Sequence, residues 1–314
     1  MQDAAANTDA VICECFCRDG LQHETIMLPA EVKIDLVDRF SALGFQRIEA
    51  TSYSNPAVIP QFGDASEVLA GIERLQDVHY KATCPNPRAV QRALADLQAG
   101  RGATEISMLV SASESHSQRN LKRSRADQWE NVREMAELAA GRFRLVGTIS
   151  VAFGCPFEQA VDAGRVIEDA IRFRKYGVQY ITLGDTTGMA TPHTVRSLFR
   201  ALRTELPDAN LIAHFHDSRG TALANCVAAL EADVRYFDAA IGGVGGHPAK
   251  VQYGGGYTGN ACTEDLVDLF EAMGVRTGID LPALLETGRH CETVLERKLA
   301  GHVTHTGANP LRPL

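Results

Sequence analysis

Aromatic residues are scarce in this chain, at 6% of 314 residues with a single tryptophan. A stacking surface for single-stranded nucleic acid needs such rings, so that class of function is excluded. Positive charge is short as well. Lys and Arg number 31 against 39 Asp and Glu, a net charge of −8, and no basic stripe suits a duplex. No run of about eighteen apolar residues occurs, so no transmembrane helix and no membrane partner are expected. The segment Met1 to Asp9 has neither the basic start nor the apolar core of a secretory signal, and a cytoplasmic location is expected. Eight cysteines are too few for a disulfide scaffold. Cys13, Cys15 and Cys17 alternate along one apolar stretch, which places them on one strand face as buried, reduced thiols. A lone C-x-C-x-C is weak evidence for zinc, because structural sites pair two such units.

What is present is ordinary in bulk: 45% hydrophobic and 22% charged residues, as in a soluble globular protein. The order of the segments is more informative. Short β-prone runs fall at 11–17, 45–50, 78–83, 103–110, 144–151, 178–183, 209–215 and 235–240. Amphipathic runs lie between them. The clearest covers 29–43, with Val32, Leu36, Val37 and Phe40 at helical spacing, Pro29 in its first turn and Gly44 at its end. A second runs over 156–175 and closes at Gly177, and Pro192 after Thr191 starts a third.

Strands alternating with helices imply a parallel sheet. Eight such units favour a closed (β/α)8 TIM barrel over an open doubly wound sheet, and no G-x-G-x-x-G follows the first strand. The expected organisation is one barrel domain over 1–278 with a C-terminal helical extension over 279–314. Residues 301–314 lack clear periodicity and read as a tail or a flap.

In such a barrel the active site lies where strands end. Polar residues collect at those positions: Arg18-Asp19-Gly20, Glu49-Ala50-Thr51-Ser52, Gly184-Asp185-Thr186 and His214-Phe215-His216-Asp217. Alternate residues of a strand share a face, so His214 and His216 can converge on one ion. With Asp19 and an amide oxygen they form a mixed nitrogen and oxygen shell suited to Mg²⁺, Mn²⁺ or Zn²⁺. A pair of histidines hydrogen-bonded in the barrel mouth is the plainer alternative. Arg18 is placed to hold a carboxylate or to stabilise an enolate. Glu49 and Asp185 are acid–base candidates, or partners that order the mouth.

The sequence resembles the 3-hydroxy-3-methylglutaryl-CoA lyases, within the metal-dependent Claisen-type lyases and synthases. The shared segments run from Arg18-Asp19-Gly20-Leu21-Gln22 and Ile48-Glu49-Ala50-Thr51-Ser52 through Pro60-Gln61-Phe62-Gly63-Asp64 and Gly154-Cys155-Pro156. Leu183-Gly184-Asp185-Thr186, His214-Phe215-His216-Asp217, Gly259-Asn260 and Thr263-Glu264-Asp265-Leu266 continue the series to about residue 295. The resemblance implies a TIM barrel with a divalent metal on Asp19, His214, His216 and Asn260, and an enolate oxygen stabilised by Arg18. It implies retro-Claisen cleavage of a 3-hydroxy-3-alkyl acyl-CoA, with His214 also in the catalytic set. Gln22, Ser52, Arg119 and Asn120 are the expected substrate contacts, and a homodimer or larger homo-oligomer is expected.

One departure stands out. The family's loop after strand 8 resembles Gly-Gly-Cys-Pro, with a catalytic cysteine; this chain has Gly245-Gly246-His247-Pro248, and an added Gly254-Gly255-Gly256 run. His247 is a substitute general acid, a recognition group for a different substrate, or a loop residue without a chemical role. Arg119, Lys122, Arg123 and Arg125 form a basic cluster that reads either as a CoA phosphate contact or as a solvated helix start. Two rival functions stay open: an aldolase or Claisen-type synthase on a 2-oxo acid, and a non-catalytic barrel that binds acyl-CoA or metal.

Overall fold

Each β-prone run is bounded by turn residues and followed by a helix, and this rhythm closes a barrel. In the computed structural model, which describes residues 8–246 and 259–311, eight parallel strands pair in sequence order and the last pairs with the first. They are β1 Val11–Glu14, β2 Arg47–Ser52, β3 His79–Thr83, β4 Glu105–Ser111, β5 Arg144–Ser150, β6 Tyr180–Asp185, β7 Asn210–Phe215 and β8 Tyr236–Ala239. The expected TIM barrel is therefore present.

The helices α1 Ala30–Ala42, α2 Ala65–Gly71, α3 Pro87–Gln98, α4 Glu114–Leu121, α5 Arg125–Ala139, α6 Ala163–Lys175, α7 Pro192–Glu205 and α8 Ala222–Leu230 are interleaved with the strands, with both α4 and α5 between β4 and β5. Val37, Leu36 and Phe40 of α1 are buried, as their spacing predicts. Pro192 opens α7 behind a Thr191 cap whose side chain accepts the Thr194 amide, satisfying an otherwise orphaned donor. The helix expected over 156–175 is shorter: it starts at Ala163 behind Asp162, and the chain before it turns through paired bonds between Cys155 and Gln159.

The first strand departs most from expectation. It stops at Glu14, and Phe16–Gly20 form a π-helical turn. Cys13, Cys15 and Cys17 therefore do not share one strand face, although all are buried and unbridged. The apolar residues could equally have continued the strand. Instead the Cys15 carbonyl accepts from the amides of Arg18, Asp19 and Gly20 at 3.2, 2.9 and 3.1 Å.

After the barrel come α9 Thr263–Ala272, α10 Leu281–Val294 and α11 His302–Thr306. Residues 302–306 are thus neither tail nor flap. The Asp265 carboxylate accepts the amides of His302 and Val303, and Thr304 donates to Glu264, docking α11 on α9. Among the described residues no helix is long and apolar enough to cross a membrane.

Helices and strand exteriors form one large apolar core. The barrel interior is different, because charge runs through it. Arg47, 1% exposed, meets Glu105, fully buried, through Nε and a terminal nitrogen at 3.2 and 2.6 Å. Such a pair is tolerated only with good geometry.

A polar cleft at the strand ends

The π-turn decides how the first segment reaches the barrel mouth. It lets the consecutive residues Arg18 and Asp19 both face the cleft, which an extended strand would forbid. Buried Glu14 locks the turn: it accepts the amides of Phe16 and Ile241 at 2.9 and 3.0 Å and the Thr263 hydroxyl at 2.7 Å. Burial raises the Glu14 carboxyl to about 8.

His214 lies at the end of β7 and His216 just past it, so their rings meet, with Nε2 atoms 3.2 Å apart. Asp19 Oδ2 is 3.5 Å from His216 Nε2. Asn260 arrives from a distant segment, because His216 and Asn260 form a β-bridge beside the end of β7. Its Nδ2 donates to Asp19 Oδ2 and to the Val244 carbonyl, both at 2.8 Å.

These four side chains fit a divalent cation. One ligand atom each from Asp19, His214 and His216 lies within 4.8 Å of the others. Neighbouring ligands about 2.1 Å from one ion stand about 3 Å apart, so the spacing is right. His216 Nδ1 faces the Thr186 carbonyl at 2.9 Å, and a carbonyl only accepts. That nitrogen therefore carries the proton and leaves Nε2 a free lone pair. His214 Nδ1 faces Asp238 Oδ2 at 3.4 Å, with the same consequence. Asn260 Oδ1 is buried without a hydrogen-bond partner. Such an orphaned oxygen is costly unless an ion takes it.

The electrostatics agree. Burial alone would raise Asp19, but its contact with His216 and the neighbouring Arg18 and His214 outweigh burial and hold it well below the usual carboxylate range. Burial disfavours charged His214, yet Asp238 and Asp19 outweigh it and raise its pKa. Arg18 donates to Asp19 Oδ1 at 2.7 Å and stands 3.6 Å from Glu49 Oε1, while its buried Nε has no hydrogen-bond partner.

Most expected site residues come together. Arg18, Asp19, Gln22, Glu49, Asn120, His214 and His216 line one cleft of about 120 Å³, and Asn260 touches Asp19 behind it. Three do not line it. The Ser52 hydroxyl is buried against Ser54 and the Thr83 carbonyl at 2.8 and 3.2 Å. Both Asp185 oxygens accept backbone amides, of Met189 and Ala190, capping the turn before α7. Arg119 lies exposed over the Phe157 ring, 4.0 Å from its centroid. Arg125 of the basic cluster pairs with Asp169 at 2.6 Å. His247 and the Gly254–Gly256 run lie outside the described residues.

Sequence reasoning missed Lys81, Asp238, Thr83 and His116, which also line the cleft. The available signal was a lysine inside the β-prone run 78–83, where an inward position faces the barrel interior. His116 is held neutral, since burial lowers its pKa to about 4. A larger cavity of about 550 Å³ opens at the opposite end of the barrel, with Arg47, His79, Arg144 and Tyr236 in its wall. None of the cation-site residues reaches it.

The HMGL-like family model matches residues 10–290. The chain belongs to the HMGL-like family. Its curated relatives are carbon–carbon lyases. The mitochondrial hydroxymethylglutaryl-CoA lyase of Gallus gallus is 37% identical over 294 residues, 93% of this chain and 96% of that protein. The cytoplasmic 3-hydroxy-3-methylglutaryl-CoA lyase of Mus musculus is 36% identical over 285 residues, 90% of this chain and 80% of that one. A solved HMG-CoA lyase from Acinetobacter baumannii, in complex with coenzyme A and 3-methylmalate, superposes on this HMGL-like chain with a TM-score of 0.89. It is 37% identical, covering 97% of each chain.

Proposed function

We propose that this HMGL-like protein cleaves a 3-hydroxy-3-alkyl acyl-CoA, such as 3-hydroxy-3-methylglutaryl-CoA, by a divalent-metal-dependent retro-Claisen reaction. The observation that carries the reading is the convergence of Asp19, His214, His216 and the orphaned Asn260 oxygen beside Arg18. The relative solved with coenzyme A and 3-methylmalate supports this class of ligand.

Asp19, His214, His216 and Asn260 would hold the cation. When bound, Mg²⁺ or Mn²⁺ supplies Lewis-acid acidification of the substrate hydroxyl and a template for its oxygens. Glu49 is the cleft carboxylate proposed to take the hydroxyl proton; His214, with Nδ1 protonated towards Asp238 and Nε2 turned to the cation, would act by holding the ion, and Asp185 is committed to backbone amides. As the carbon–carbon bond breaks, the electron pair moves into the thioester as an enolate. Arg18, with its free buried Nε, is placed to stabilise that oxygen. His247, adjoining the cleft residue Gly246, is the proposed proton donor to the enolate carbon. The working organisation is a barrel over 1–278 with an extension over 279–314.

Purified protein with Mg²⁺ or Mn²⁺ is offered 3-hydroxy-3-methylglutaryl-CoA beside other 3-hydroxy-3-alkyl and citramalyl-type thioesters, and products are read by mass spectrometry. Cleavage of one of them supports the reading. Silence on all, with turnover of a free hydroxy acid, replaces it by an aldolase. His247→Ala should cut turnover strongly, and an unchanged kcat removes the donor role.

A further inference from the structure

The floor of the cleft holds a cation that this reaction leaves unexplained. Lys81 is 3% exposed, points inward from β3 and lines the cleft. The carboxylates nearest its ammonium are Glu49 Oε2 at 3.5 Å and Asp238 Oδ2 at 3.7 Å. A charge-assisted hydrogen bond is about 2.7–2.9 Å long. The ammonium therefore sits between two carboxylates without closing on either, with three donors to direct. Burying an ammonium costs several kcal/mol. A protein that only needed packing at this depth would use an apolar residue.

The surroundings say what it would meet. Ser107, Thr148 and Thr182 line the same cleft, and Thr182 Oγ1 is buried without a hydrogen-bond partner. Leu109 is the single large aliphatic side chain among the described lining residues. Such a wall suits an oxygen-rich group better than an alkyl one. The charges suit an anion too. Through contacts of 3.7 Å or less, Arg18, Arg47 and Lys81 join Asp19, Glu49, Glu105 and Asp238 in one network. Three cations face four carboxylates there, so a divalent ion on Asp19 leaves one positive charge for a ligand anion to match.

We propose that Lys81 is a specificity-determining residue whose ammonium binds a carboxylate of the acyl group, so that the cleft selects carboxylate-bearing hydroxyacyl substrates over those ending in a neutral alkyl group. The inference deepens the proposed function and rests on the cleft being the acyl site.

The test compares two probes by calorimetry on the Mg²⁺-loaded full chain, each with an ester where the substrate has its thioester: 3-hydroxy-3-methylglutarate monomethyl ester and methyl 3-hydroxy-3-methylbutyrate. They differ in one carboxylate, and the second has none. A hydrogen bond to a charged group is worth about 1.5–3 kcal/mol, so Lys81→Met should cut the preference for the carboxylate-bearing probe by about 10- to 100-fold. Affinity for the neutral probe should hold, and Lys81→Arg should restore part of the preference. Should Lys81→Met fail to fold, Lys81→Gln keeps hydrogen-bond donors without the charge and gives the same reading. An unchanged preference, or equal loss for both probes as a purely structural role demands, overturns the proposal. Cleavage activity separates the two readings. A wild type that cleaves thioesters while the preference ignores Lys81 sinks only this inference; a Lys81-dependent preference without cleavage sinks only the lyase.

Discussion

Replacing Gly245 by Ala should weaken metal binding strongly without altering any ligand. Gly245 has φ +104°, and a Cβ there would lie 2.4 Å from Asn260 Nδ2 and 2.9 Å from the Asp19 carbonyl oxygen. A non-glycine residue in this region pays roughly 1–2 kcal/mol in strain. The clash costs more, because Asn260 cannot easily yield. Its amide is pinned at 2.8 Å on both Val244 and Asp19. Relieving it requires a shift of about 1 Å, beyond the roughly 0.5 Å that a metal site tolerates. Displacing such supporting geometry weakens metal binding by about 10- to 100-fold. Titration with Mn²⁺, following free ion by electron paramagnetic resonance, measures this directly. Gly141→Ala is the control. Gly141 also has positive φ, +68°, but a Cβ there meets nothing within 4 Å. It should lose stability while binding Mn²⁺ normally. If Gly245→Ala binds Mn²⁺ as tightly as Gly141→Ala, the proposed role of Asn260 and Asp19 is wrong.

Asp238→Asn removes the carboxylate that faces His214 Nδ1 and should weaken Mn²⁺ by about 10-fold or more, read in the same titration. Arg18→Gln should lower kcat by about 10²- to 10³-fold in the cleavage assay, since it removes an enolate donor. Arg47→Met strands buried Glu105 and should cost about 3–5 kcal/mol in urea unfolding, with much of the loss recovered by adding Glu105→Leu. Burial pushes the folded Glu14 carboxyl up to about 8, against an ordinary 4.5. The folded state binds the extra proton between those values, so this group's stabilising contribution falls as pH rises from about 4.5 to 8. Glu14→Gln should flatten that decline in thermal unfolding profiles; an unaltered slope refutes it.

Much of the fold could be read in advance because it depends on local rules. Turn residues bounding β-prone runs, and apolar spacing in α1, are properties of short stretches. The π-turn at Phe16–Gly20 escaped because its first residues, Phe16 and Cys17, continue the apolar run of the strand, and Glu14 and Ile241, far apart in sequence, hold it. The docked α11 escaped for a similar reason: its anchors, Asp265 and Glu264, lie about forty positions upstream.

The site divides along the same line. Asp19, His214, His216 and Arg18 were readable because strand ends and strand alternation are local. The sequence by itself determined the alternating barrel units, the family and the residue types able to hold a cation. The tertiary structure alone decided that Asp185, Ser52 and Arg119 turn away from the cleft and that Lys81 and Asp238 enter it. The reason is physical. Closing the barrel brings eight separate strands around one interior, and which charges meet there depends on register between strands, which no single stretch of sequence contains.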